Sequence, residues 1–295
     1  MTTPPKSATT ALLHDPDLPV QIVDVGANPI DGTPPYAPLL ESGIGRVTGF
    51  EPQPAAFAQL TATTDERHRY LPYAVGDGST QVLRLCAESG FTSTLEPDHG
   101  QLALLTDFPA MAAVLDRIEV PTVRLDDIEE IERMDLLKID IQGGELEVFR
   151  HGRARLAAAV AVHTEVGFHR LYEGQPTFAD IDLELRGQGF VPHRFVNTKT
   201  WPLAPVQWAD PMQQAAHHLV EADVLYVRDL AHLDRLSDLQ LRQLALVCEV
   251  AYGSYGVALA CVQQLVRRSV LATDAEQTYR ADVLERVGSR TRSAG

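Results

Sequence analysis

Cysteine is scarce in this sequence. Its 295 residues include three cysteines, Cys86, Cys248 and Cys261, which lie far apart and form no C-x-x-C pair. This scarcity argues against a disulfide framework and against a zinc site built from cysteine, and it fits a protein of a reducing compartment. We therefore expect the protein to be cytoplasmic.

Long apolar runs are also missing. No stretch approaches the ~18 consecutive apolar residues that span a membrane, and the polar start, with Pro4 and Pro5, lacks the apolar core of a signal peptide. Basic residues are in the minority, since 25 Lys and Arg face 40 Asp and Glu, for a formal net charge of -15. This charge would repel a nucleic acid or an anionic lipid surface, so neither is expected as a partner.

Short apolar segments alternate with helical patterns along the chain, which is typical of a parallel α/β sheet. Five of these segments are expected to be parallel strands, and two later ones to form a final antiparallel pair. They are 20–25, 46–50, 70–75, 136–141 and 160–165, followed by 190–196 and 224–227. The sequence thus predicts an α/β fold with a Rossmann-like sheet of seven strands.

The composition divides the chain into four parts. These are a flexible leader (1–17), a Rossmann-like domain (18–230), a helical extension (231–287) and a flexible tail (288–295). Within the domain, residues 80–125 are expected to form an insertion over the cleft. In the extension, Leu241, Leu244 and Cys248 fit a helix face that packs on the sheet, and they fit equally well a face that pairs two copies of the chain in a homodimer.

The first predicted strand ends in VDVGAN, residues 23–28, whose glycine marks a turn at the carboxyl edge of the sheet, where open α/β folds bind ligands. A dinucleotide-binding turn needs glycines at the first, third and sixth positions. Counted from Gly26, the third and sixth positions hold Asn28 and Asp31, a side chain and a negative charge where pyrophosphate would lie. The turn therefore favours a cationic cofactor without phosphate, such as S-adenosylmethionine.

Acidic residues also follow the second and third predicted strands. Glu51, which precedes Pro52, can accept hydrogen bonds from both hydroxyls of a ribose. Val75, Gly76 and Asp77 would border the adenine in this layout, with Asp77 available to the adenine amino group. Alone, Glu51 is equally well a generic strand-end acid and the later segment a plain turn, but together with the glycine turn they favour an adenosine site.

The sequence LLKIDIQGGELEV at 136–148, with RLDDI at 124–128 before it, is too specific to be generic. Three further segments stand in a fixed order with these two: GFEP at 49–52, FTSTL at 91–95 and HTEV at 163–166. Together with VDVGAN, they resemble the FkbM family of methyltransferases over about residues 20–228. The resemblance implies a methyltransferase that uses S-adenosylmethionine, usually to methylate a hydroxyl of a sugar, a polyketide or another small natural product.

The turn, the strand-end acids and this resemblance together define the expected cofactor-binding residues. They are Asp24, Gly26, Ala27, Asn28, Glu51, Pro52, Val75, Gly76, Asp77, Asp140 and Gln142. The sequence departs from the family at Gln142, where glutamate is usual, and at Pro29 and the pair Pro34–Pro35, which alter the first loop. These departures concern the methionine end of the cofactor site.

Candidate catalytic residues end the fourth and fifth predicted strands. Asp140 is expected to contact the amino group of the cofactor or to act on the substrate. His163 and Glu165 share one face of their strand, because alternate residues point the same way, and a histidine beside a carboxylate can act as a base with its orienting partner. The alternative is a hydrogen-bonded pair without a catalytic role. Glu145 either has a direct role in the reaction or only stabilises the N-terminus of the helix that it begins. The substrate is expected to contact Ser93, Thr94, His169 and Tyr172.

Two questions stay open at this point. Asp126, Asp127, Asp140 and Glu165 could supply oxygen ligands for magnesium, but their spacing does not require a divalent metal, and no metal ligand is predicted. The alternatives to an active methyltransferase are an oxidoreductase on a similar nucleotide-binding fold and a non-catalytic, methyltransferase-like partner subunit. The spacing of the glycine turn counts against the first, and the intact turn and strand-end acids count against the second.

Overall fold

The computed structural model describes residues 8–27, 32–62, 64–208, 210–212 and 217–293. Asn28 and Asp31, on which the interpretation of the first turn depends, lie outside these residues. In the part of the chain that the structure describes, no helix is both long enough and apolar enough to cross a membrane.

The described residues form ten strands, of which seven make up the central sheet. In chain order the strands are β1 (Val20–Val25), β2 (Gly45–Phe50), β3 (His68–Leu71), β4 (Ala74–Val75), β5 (Thr80–Cys86), β6 (Val114–Val123), β7 (Leu136–Ile139), β8 (Ala161–Gly167), β9 (Phe190–Pro202) and β10 (His217–Arg228). The central sheet has the order β3-β2-β1-β7-β8-β10-β9, and β10 runs antiparallel to both of its neighbours. The predicted α/β fold, with seven strands and a final antiparallel pair, is confirmed.

Helices cover both faces of this sheet. In chain order they are α1 (Ala8–Leu13), α2 (Ala37–Glu41), α3 (Pro54–Ala62), α4 (His99–Leu102), α5 (Phe108–Met111), α6 (Glu145–Arg150), α7 (Arg153–Ala158), α8 (Phe178–Gly187), α9 (Asp238–Leu246), α10 (Tyr255–Arg267) and α11 (Ala275–Ser293). One apolar core lies between the sheet and α2, α9 and α10, and a second lies between the sheet and α6 and α8. Leu241, Leu244 and Cys248 of the helical extension are buried in the first core, so this face packs on the sheet.

Helices form in the described part of both terminal segments. Within the expected flexible leader, residues 8–13 form α1, and α11 continues to Ser293 in the expected flexible tail. The physical reason is the buried carboxylate of Glu249, which accepts a hydrogen bond from the Thr9 hydroxyl at 2.6 Å and pairs with Arg286 of α11, also at 2.6 Å. One buried charge thus holds both terminal helices against the helical extension.

The predicted third strand, 70–75, is divided in two. Its first part pairs with β2 as β3, whereas Ala74–Val75 pairs with β6 in a separate sheet of order β4-β6-β5. Pro72 lies at the division and has no backbone N–H to continue the ladder. The insertion over the cleft is therefore built around a second, three-stranded sheet that starts where the third strand of the main sheet ends.

Candidate active site

The carboxyl ends of β1 and β7 meet at Gly26. Its φ of +80° favours glycine, and a Cβ atom there would lie 2.1 Å from the carbonyl oxygen of Asp140. The backbone N–H groups of Gly26 and Ala27 donate to the carbonyl of Phe50 at 3.1 and 3.2 Å, so they join strand ends instead of facing a ligand. Because Gly26 has no side chain, the ends of β1 and β7 can approach each other closely. Ala27 is buried and does not line the cavity beside this turn.

A cavity of about 320 Å³ opens beside this turn. It follows the carboxyl edge of the sheet, and the three-stranded insertion and the loop before α8 enclose it. Its walls include eight of the predicted site residues: Gly26, Glu51, Pro52, Val75, Gly76, Thr94, Asp140 and Gln142. Three acidic residues, Glu51, Asp140 and Glu147, line it, and no lysine, arginine or histidine does so within the described ranges.

Two of the predicted cofactor acids lie off the cavity wall. Asp24 is buried, accepts a hydrogen bond from the Tyr36 hydroxyl at 2.5 Å and lies 3.4 Å from the ammonium of Lys138. Asp77 accepts from the hydroxyl of Ser79 at 2.7 Å and from its backbone N–H at 2.8 Å, and these bonds lower the pKa of Asp77 to about 2. Both carboxylates bind groups of the protein itself and hold a strand end and a turn in place.

Gln142 joins two carboxylates at the edge of the sheet. Its Nε2 donates to Oδ1 of Asp140 at 3.0 Å and to Oε2 of Glu165 at 2.8 Å, which the glutamate usual in the family could not do. The Ser93 hydroxyl donates to the backbone carbonyl of Gln142 at 2.6 Å, and the Tyr172 hydroxyl donates to Oε1 of Gln142 at 3.2 Å. Ser93 and Tyr172, predicted to contact substrate, are therefore committed to holding Gln142, whose φ is +58°.

Glu145 closes the turn between β7 and α6. Its carboxylate accepts the backbone N–H groups of Ile141 at 2.9 Å and Gly143 at 3.0 Å. Burial raises the pKa of this carboxyl to about 7. Of the two interpretations of Glu145, the geometry supports the local structural role.

Glu165 lies in a charged cluster that the sequence did not reveal. Lys199 of β9 forms an ion pair with Glu165, and its ammonium lies 3.7 Å from Glu221 of β10. Burial, and then the charges of Asp140 and Glu221, raise the pKa of Glu165 well above its ordinary value. For Asp140, burial also opposes ionisation, but the positive charges of Lys138 and Lys199 outweigh it and lower its pKa. Asp140 is thus the more acidic of the two carboxyl groups that Gln142 joins.

His163 faces Tyr252 and not Glu165. Its Nδ1 lies 3.1 Å from the Tyr252 hydroxyl, and its Nε2 lies 3.9 Å from the carboxylate of Asp223. Burial, and then the charge of Lys138, lower the pKa of His163 to about 4. The imidazole is therefore neutral near pH 7, and the nearest carboxylate is on β10 and not on its own strand.

The other predicted residues are spread over separate places. Asp126 accepts the backbone N–H groups of Ala154 at 3.1 Å and Arg155 at 2.8 Å, at the start of α7. His169 lies 3.2 Å from the carbonyl of Gln101, away from the cavity wall. Over the residues whose positions are described, no group of three or more acidic, histidine or cysteine side chains is arranged to hold a metal ion.

This sheet order, with a cavity at its carboxyl edge, defines a Rossmann-like α/β fold. A model of the methyltransferase FkbM domain matches residues 24–192, and the chain belongs to that family. The match confirms the resemblance in the sequence. No curated protein is similar enough in sequence to be counted as a relative.

Several solved structures are similar to this chain at low identity. Magnesium protoporphyrin IX methyltransferase from Synechocystis PCC 6803, with bound SAM, is 13% identical over 72% of this chain and 72% of its own, with a TM-score of 0.35. A proposed methyltransferase from Thermoplasma acidophilum is 11% identical over 75% of this chain and 71% of its own, with a TM-score of 0.36. A proposed tRNA (m1A22) methyltransferase from Streptococcus pneumoniae is 11% identical over 93% and 96%, also with a TM-score of 0.36.

Proposed function

We propose that the protein is an S-adenosylmethionine-dependent O-methyltransferase that acts on a hydroxyl of a sugar, a polyketide or another small natural product. The observation that carries the cofactor assignment is the wall of the cavity, which includes three acidic residues and, among the described residues, no basic one. A dinucleotide would find no positive partner for its phosphates there, whereas S-adenosylmethionine is cationic and has no phosphate. The hydroxyl acceptor is inferred from the family.

The residues present fit this cofactor. The Glu51 carboxylate accepts the backbone N–H of Gln53 at 2.7 Å, which fixes it at the wall where it would accept hydrogen bonds from ribose hydroxyls. Phe50, Val75 and Leu95 supply apolar wall for an adenine ring. Asp140 would hold the cationic amino group.

S-adenosylmethionine, when bound, supplies an electrophilic methyl group on a positively charged sulfur. The new O–C bond replaces the S–C bond, and the hydroxyl proton must go to a base. We assign this base to Glu165, because its raised pKa suits a proton acceptor and Gln142 orients its carboxyl. Asp140 and Gln142 would fix the donor beside it, since positioning of the two reactants can supply ~7–11 kcal/mol.

Calorimetry should show saturable binding of S-adenosylmethionine and no binding of NAD. Glu51→Ala should weaken the binding of S-adenosylmethionine ~10- to 100-fold, because hydrogen bonds to a charged group contribute ~1.5–3 kcal/mol. Glu129→Ala is the control, since Glu129 is an exposed glutamate that does not line the cavity. Binding of NAD in place of S-adenosylmethionine would sink the proposed function and favour an oxidoreductase.

His163→Gln should lower kcat by less than the ~10²-fold that loss of a general base causes. The imidazole is buried between Tyr252 and Asp223, neither of which lines the cavity, whereas Glu165 accepts a hydrogen bond from Gln142 of the cavity wall. Steady-state rates and S-adenosylmethionine affinity should be measured together, and the affinity should not change. A loss of ~10³-fold or more in a folded variant would move the role of base from Glu165 to His163.

A further inference from the structure

Lys199 places an ammonium group among buried carboxylates. It lies on β9 opposite Glu221 of β10, and Asp223 of β10 lies opposite Glu165 of β8. The hairpin of β9 and β10 thereby brings one positive charge to the two carboxyl groups of Glu165 and Glu221, at the end of β8 where Gln142 also binds. Residues of β8 and β9 come together at this point because β10 pairs with both strands.

Lysine is otherwise almost absent from the chain. The sequence has three lysines, Lys6, Lys138 and Lys199, and 22 arginines, which together make its 25 basic residues. Lys6 lies outside the described residues, and both of the others face carboxylates beside the cavity. A lysine ammonium is a compact point charge, whereas arginine presents a planar fork. Each of the two described lysines places a positive charge beside a carboxylate of another strand.

We propose that Lys199 is a positioning residue for Glu165: its ammonium fixes this carboxyl group beside Gln142 and supplies the positive charge against which Glu165 ionises. This inference rests on the proposed function, in which Glu165 receives the hydroxyl proton. Lys199 lies beyond residues 24–192, which match the family model, so the family domain alone does not contain this part of the site.

The charges around Glu165 show why a cation is needed there. Burial disfavours its ionised form most, and Asp140, which follows β7, and Glu221 on β10 add to this effect. Lys199 opposes all three by its charge and by its hydrogen bond. The Tyr172 hydroxyl, which donates to Gln142 beside Glu165, is uncharged, and burial raises its pKa well above the ordinary value. Lys199 therefore keeps the pKa of Glu165 lower than burial and the neighbouring carboxylates alone would set it, and so favours the ionised form that can accept a proton.

The test compares Lys199→Met and Lys199→Arg with the unchanged protein. The carboxyl carbons of glutamate are labelled with carbon-13, the Glu165 signal is identified by its absence in Glu165→Gln, and its titration is followed by NMR. In Lys199→Met the pKa of Glu165 should rise by at least ~1 unit, because an opposite charge at this distance typically lowers a carboxyl pKa by ~1–3 units. Lys199→Arg, which keeps the charge, should restore most of this shift.

Arg186→Met is the control for loss of a positive charge, because Arg186 pairs with Asp182 on α8 and is largely exposed. It should leave the Glu165 titration unchanged. The inference is overturned if Glu165 titrates at the same pH with and without the Lys199 charge, or if the arginine variant is no closer to the unchanged protein than the methionine variant. Binding of S-adenosylmethionine is measured on the same samples: its absence from the unchanged protein would refute the proposed function, while the titration would still decide the role of Lys199.

Discussion

Gly26→Ala should weaken the binding of S-adenosylmethionine by at least ~100-fold, or ~2.7 kcal/mol. Two physical effects add at this position. The φ of +80° costs a residue with a side chain ~1–3 kcal/mol. The new methyl group would also lie 2.1 Å from the carbonyl oxygen of Asp140, so the ends of β1 and β7 would have to separate. Calorimetry gives the affinity, and thermal unfolding shows whether the fold survives.

Two other glycines of the same cavity wall separate these effects. Gly174 has a φ of +69°, but a Cβ atom added there would have no neighbour within 4 Å, so Gly174→Ala should show the backbone cost alone. Gly90 has neither a positive φ nor a close neighbour, so Gly90→Ala should bind nearly as the unchanged protein does. If Gly26→Ala binds no more weakly than Gly174→Ala, the contact between strand ends is not what shapes the cofactor site.

The parts of the site that the sequence predicted are those encoded within one strand and its following turn. Gly26, Glu51 and Asp140 each end a strand of a parallel sheet, and parallel strands bring such ends to one edge. That geometry needs only the order of the strands. The same reasoning could not show that the N–H groups after β1 are taken up by Phe50, because this depends on the registration of β1 against β2.

The parts that the sequence did not predict depend on pairing between distant segments. Lys199 and Glu221 meet Glu165 through the long β9–β10 hairpin, whose register shifts at three places, so no fixed spacing in the sequence marks the contact. Tyr252 reaches His163 from the helical extension, 89 residues along the chain. His163 and Glu165 both lie on β8, but their partners come from other strands and helices.

Glu165→Gln should lower kcat ~10²- to 10⁴-fold, the usual contribution of a general base. The amide has nearly the shape of the carboxyl and can still accept a hydrogen bond from Lys199, but it cannot take up the proton of an acceptor hydroxyl. Affinity for S-adenosylmethionine should change little, because the cofactor contacts are assigned to Glu51 and Asp140 of the cavity wall and not to Glu165. Turnover is measured as transfer of a labelled methyl group to a panel of sugars and polyketide alcohols.

Glu173→Gln serves as the matched control, since Glu173 is an exposed glutamate on the loop that follows β8, and it should keep full activity. The pH dependence adds an independent check. Because ionised Glu165 is the active form, kcat of the unchanged protein should fall as the pH drops below the raised pKa of this group, and Glu165→Gln should lose that dependence. If Glu165→Gln is slow but its kcat still falls at low pH, another group receives the proton. Asp140, which Gln142 joins to Glu165, would then be the next residue to replace.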